Sequence, residues 1–72
     1  MFEIGEKVII VTRLHFYGFP GVIKRQVDEN RWSVHVTIPK DQQRPSEDNP
    51  DYVLKEFTGV FHEDELTSLK NG

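Results

Sequence analysis

Eight residues, Arg31 to Ile38, alternate without a break between polar and apolar: Arg31, Ser33, His35 and Thr37 in one phase, Trp32, Val34, Val36 and Ile38 in the other. Successive side chains of a strand point to opposite faces, so this period-two pattern predicts a strand with one buried face. A helix would scatter the same four apolar residues around its axis. An isolated hairpin is marginal in water, so such a strand needs at least two partners. In a chain of 72 residues they must come from a single domain, residues 1–72, with a small core.

The partners are visible on both sides. Lys7 to Thr12 is mostly β-branched and predicts a first strand; Ile4, Val8 and Ile10 share the core-facing phase, with Ile9 and Val11 partly covered on the other. Arg13 to Pro20 has no period and leads into Gly21, which predicts a loop. Val22 to Val27 forms a second strand, and Asp28 to Asn30 turns it back onto the third, with Asn30 suited to a positive φ. Tyr52 to Phe61 predicts a fourth strand with a possible bulge at Gly59. His62 to Glu65 is too polar for strand interior and predicts one 3₁₀ turn, leaving Leu66 to Leu69 for a fifth strand. A helix over His62 to Lys70 competes with this, but Phe61, Leu66 and Leu69 give it only a thin apolar stripe. Pro39 to Pro50 carries no hydrophobic side chain except its prolines. It cannot bury enough apolar surface to offset the entropy of ordering, which predicts a long mobile loop between strands three and four.

Charge is uneven. Residues 1–40 carry a net +2 and residues 41–72 a net −5, within a total of −3. An acidic whole argues against sequence-independent nucleic-acid binding, which runs on Lys and Arg displacing counterions, while leaving room for a local basic face. The absence of cysteine excludes disulfides and thiolate metal sites and fits a cytoplasmic setting. The N-terminus is acidic and the longest apolar run is Val8 to Val11, so neither a signal peptide nor a membrane anchor is expected.

Ile4 to Val8, Tyr17 to Ile23, Trp32 to Val36 and Phe61 to Leu66 together resemble a line shared by several SH3-like barrels. That line is hydrophobic-Gly-acid-basic-Val, Gly-hydrophobic-Gly-Val-Ile, Val-x-Val and Phe-x-x-Asp-Glu-Leu. One group is the KOW domains of ribosomal proteins and elongation factors. Another is the photosynthetic electron-transfer subunits, such as photosystem I subunit IV. The resemblance implies an all-β, five-stranded SH3-like barrel with its 3₁₀ turn before the last strand. It implies a docking surface for protein or RNA, and assigns no site residue.

Two groups of residues are candidates for partner contact. The first is the loop with Arg13, His15, Phe16, Tyr17 and Phe19, whose aromatics can stack bases or anchor a peptide. The same rings would equally serve to cap the core. The second is the outward face of the hairpin, with Lys24, Arg25, Arg31 and His35, suited to phosphate or carboxylate, or else ordinary solvated strand residues. Trp32 has the parity of a core residue. His62 lacks the second histidine four residues on that a zinc-protease helix needs, since Leu66 stands there. No phosphate loop, cysteine nucleophile or activated serine is recognisable. No catalytic residue, metal or cofactor is therefore assigned.

The expectation is a non-enzymatic, monomeric binding module, a protein-docking adaptor or accessory subunit of a larger complex. RNA binding through the same aromatic and basic residues is the alternative. A purely structural piece of a larger polypeptide is a third reading, against which Met1 and the full strand complement weigh.

Overall fold

The computed structural model describes residues 2–12 and 15–69. Five strands follow one another: β1 (Lys7–Ile10), β2 (Pro20–Gln26), β3 (Arg31–Thr37), β4 (Glu56–His62) and β5 (Leu66–Ser68). They form one antiparallel sheet in the order β4-β3-β2-β1-β5. The edge strands β4 and β5 are not paired with each other, and a 3₁₀ turn at Glu63–Glu65 carries the chain between them. No helix among the described residues is long and apolar enough to cross a membrane.

One face of this sheet is the core. Val8, Ile10, Ile23, Val34 and Val36 are fully buried, joined by Phe19, Trp32, Phe61 and Leu66. No second layer of strands or helices covers them among the described residues. Phe2, Phe16, Ile38 and Phe57, partly buried, pack against the cluster. Phe2 meets the Trp32 ring edge-on, with centroids 5.6 Å apart. Trp32 is only 3% exposed, and its Nε1–H finds no acceptor among the described residues. Removing Phe2 should open this site to water. Phe2→Ala is expected to move the emission of the single tryptophan to longer wavelength and to cost about 1–2 kcal/mol. An unchanged emission maximum would show that Phe2 does not cover the indole.

Several sequence expectations are corrected. Ile4 does not join the core and is 74% exposed. The Glu6 N–H donates to the Glu3 carbonyl across a turn, and Gly5 has φ +89°, so the strand period does not extend back past Lys7. The fourth strand begins at Glu56; Tyr52 to Lys55 lies outside it, with only Val53 bridged to Pro45. Gly59 makes no bulge. It sits opposite Val34 in unbroken register, and a Cβ there would come 3.2 Å from Phe61 Cε1 and 3.6 Å from Phe57 Cε2. The glycine leaves space for the two rings on either side of it. The irregularity lies in β2 instead: Ile23 pairs with Val34 but Arg25 with Ser33, so Lys24 is the extra residue. Asn30 does not take a positive φ. Its N–H donates to Asp28 Oδ1, so an Asp side chain closes the turn in place of a left-handed residue.

The Pro39–Pro50 segment has more local order than its composition suggests. A 3₁₀ turn occupies Lys40–Gln42, giving two such turns where one was expected. The Ser46 N–H donates to the Tyr52 carbonyl and the Tyr52 N–H to the Asn49 carbonyl, both at 2.9 Å. Backbone hydrogen bonds, not buried side chains, shape this loop.

The turn expected over His62 to Glu65 spans Glu63–Glu65, with His62 ending β4 and serving as its cap. His62 Nδ1 accepts the Asp64 N–H, and Glu65 Oε1 accepts the His62 N–H at 2.8 Å, a reciprocal cap. The Glu63 N–H reaches the Asn30 carbonyl and the Val11 N–H the Glu65 carbonyl, tying the turn to both ends of the fold. His62→Ala removes one half of the cap and is expected to cost about 1 kcal/mol. Urea denaturation would measure it, and no loss would mean the backbone ties alone hold the turn.

Candidate functional site

The register of β2, β3 and β4 dictates which side chains share the solvent face. Arg25, Ser33 and Val60 form one cross-strand row, and Val22, His35 and Thr58 another. Arg31 and His62 pair beyond the first row, and Thr37 and Glu56 beyond the second. The extra residue at Lys24 sets this arrangement. Had the register run on unbroken past Ile23, Arg25 would fall opposite Trp32, in the core phase; with the irregularity Arg25 turns outward beside Ser33. Both Lys24 and Arg25 are exposed.

The hairpin candidates thus come together on one face, and β4 adds three residues that the sequence reading missed: Thr58, Val60 and His62. Their signal is the alternation in β4 around Gly59, which the mixed parity of Tyr52 to Lys55 ahead of it obscures. Ser33 has the predicted outward phase yet is buried, since its short side chain sits between the longer Arg25 and Val60.

Two of the polar groups on this face are already held. Arg31 Nε donates to Asp28 Oδ2 at 2.6 Å. That bond, with the Asn30 N–H on the other oxygen, holds the Asp28 carboxyl below its ordinary value of 3.8 and raises Arg31 above its own. A depressed folded pKa means that the unfolded state binds the proton more readily. The stabilisation is therefore complete above the ordinary value and is lost as pH falls through the lowered one. In Asp28→Asn this acid-side loss should disappear, and carboxyl-detected NMR titration of the parent should place Asp28 below 3.8. An ordinary Asp28 titration would contradict the pairing. His35 Nε2 lies 2.9 Å from Glu56 Oε1, linking β3 to the start of β4.

The aromatic loop divides. Phe19 is buried, and Phe16 packs against Phe19, Phe57 and Phe61 with centroids 5.1–6.4 Å apart. Phe19 belongs to the core and the half-buried Phe16 packs against it. Tyr17 is 65% exposed and His15 is exposed, so these two remain available. Arg13 lies outside the described residues.

Beside Glu56 the loop opens a cleft of about 480 Å³ lined by Asp51, Tyr52, Val53, Lys55 and Glu56. Tyr52 is 55% exposed, and Leu54 next to it is also exposed. A smaller, more apolar hollow of about 250 Å³ lies among Lys7, Pro20, Gly21, Val22, Thr37 and Leu69. Among the described residues no three His, Asp or Glu side chains gather closely enough to hold a metal ion. The chain matches no family model, no curated protein and no solved structure.

Proposed function

We propose that this protein is a non-catalytic docking module, a small SH3-like barrel that presents the outer face of β2, β3 and β4 to a protein partner. The strand order and the 3₁₀ turn between β4 and β5 support the barrel reading. The observation that carries the docking reading is the composition of that face: Lys24, Arg25, Arg31, His35 and His62 around an exposed Val60, in a chain of net charge −3. The exposed cations Lys24 and Arg25 steer an acidic partner, with Arg31 and His35 held by Asp28 and Glu56, while Val60 and Val22 supply apolar contact.

A photo-crosslinking residue at position 60 tests it in cells of the source. A discrete protein adduct is expected that survives nuclease treatment. Absence of any adduct, with adducts at an exposed control such as Glu47, would refute the choice of face.

The RNA reading rests on Lys24 and Arg25, two exposed adjacent cations at the irregular point of β2. It requires binding of short RNA that weakens steeply with salt, with a log–log slope reduced by about 2 in the Lys24→Ala, Arg25→Ala double variant. A salt-insensitive interaction would favour protein docking on apolar anchors.

A further inference from the structure

We propose that the cleft between the Asn49–Tyr52 turn and the start of β4 is a binding site for a cationic side chain, an arginine or lysine of a partner protein. The inference deepens the docking reading by naming the chemistry of one contact. Three observations converge on it.

The cleft is the larger of the two hollows described above, and its lining combines one aromatic ring, Tyr52, with two carboxylates, Asp51 and Glu56. A cation over an aromatic face is attracted by the ring quadrupole, and a guanidinium can add paired hydrogen bonds to a carboxylate. Val53 supplies apolar wall for the methylene stem that such side chains carry.

The lining is held in place. The Tyr52 backbone is fixed on both sides, its N–H bonded to the Asn49 carbonyl and its own carbonyl accepting from Ser46. The Pro45–Val53 bridge fixes the next residue. The Asp51 N–H donates to Asn49 Oδ1. Glu56 is oriented through its Oε1 by His35. A polar loop that organises its backbone while leaving Tyr52 more than half exposed has placed that ring toward solvent, not toward the core.

The charge around the cleft is complementary to a cation. Asp51 and Glu56 line it, and no Lys or Arg lies between Arg44 and Lys55 in the sequence. Lys55 also lines the cleft, so the chain's own cation competes there with an incoming one.

The test is an NMR titration of the ¹⁵N-labelled full chain with a blocked glycyl-arginyl-glycine tripeptide, and with the glycyl-glutamyl-glycine analogue. The arginyl peptide is expected to bind weakly and to shift amides in the Asp51–Glu56 stretch; the glutamyl peptide should leave them in place. Tyr52→Ala should weaken binding roughly three- to fivefold while Tyr52→Phe, which keeps the ring, should not. Asp51→Asn and Glu56→Gln should each weaken it by about two- to fivefold, and Lys55→Met should strengthen it. Tyr17→Ala, away from the cleft, serves as the unaffected control, and the spectra themselves report whether each variant is folded.

Equal response to the two peptides, no response at all, or a Tyr52→Ala variant that binds like the parent would each overturn the proposal. The docking reading stands or falls separately, on the crosslink at position 60. A discrete Val60 adduct together with a silent cleft would leave the docking face in place and remove the cationic contact.

Discussion

Phe61→Ala should unfold this protein or bring it close to unfolding. Phe61 is almost completely buried, sits opposite Trp32 across the β3–β4 pair, and has Phe16 packed edge-on at 6.4 Å. Truncating a buried phenylalanine removes its transfer free energy and leaves a cavity, together about 3–5 kcal/mol. A domain of this size holds about 4–11 kcal/mol in total. The neighbour Val60 points the other way and is exposed, so Val60→Ala should change stability by about 0.5 kcal/mol or less. Urea denaturation of both variants is therefore a test of register, because a one-residue slip would exchange the two faces. Comparable losses from the two substitutions would show that β4 is not paired with β3 as described.

Gly21→Ala is expected to cost about 1–3 kcal/mol through overpacking. Gly21 lies in β2 between Val8 of β1 and Val36 of β3, and φ is not the constraint there. The constraint is space: a Cβ would approach Val34 Cγ1 to 2.6 Å and the His35 carbonyl oxygen to 3.1 Å. The first contact is with a side chain and can be relieved; the second is with backbone and cannot. The double variant Gly21→Ala, Val34→Ala should therefore be less destabilised than the sum of the single variants, by roughly 1 kcal/mol, without complete rescue. Strict additivity would show that the clash does not exist. Gly59→Ala offers a graded comparison, since its nearest contact is a ring edge at 3.2 Å, and it should cost less than Gly21→Ala.

These two glycines show where sequence reading stops. Both look like backbone devices, and Gly59 invites a bulge, yet each is required by a neighbour that only strand pairing brings near: Val34 for Gly21, Phe57 and Phe61 for Gly59. The same limit governs the candidate site. Lys24, Arg25, Arg31 and His35 stood out as charged residues of a hairpin, but their grouping with Val60 and His62 depends on a partner strand more than twenty residues away. The cleft at Tyr52 was hidden for a different reason. Its segment has the composition of a mobile loop, and composition carries no record of the backbone hydrogen bonds at Ser46 and Tyr52 that shape it.

The sequence by itself determined the all-β character, the hairpin of β2 and β3, and the position of the 3₁₀ turn before β5. Each rests on interactions within a few residues: the period-two alternation of Arg31 to Thr37, the Asp28 turn, and the His62–Glu65 cap. The tertiary structure decided the remainder. It turned Ile4 out of the core and Phe19 into it, packed Phe16 against it, moved the strand irregularity to Lys24, and placed Ser33 under its neighbours. Those outcomes depend on which strands lie side by side and on the space left between them. Both are set by long-range packing, which a local pattern of polar and apolar residues does not encode.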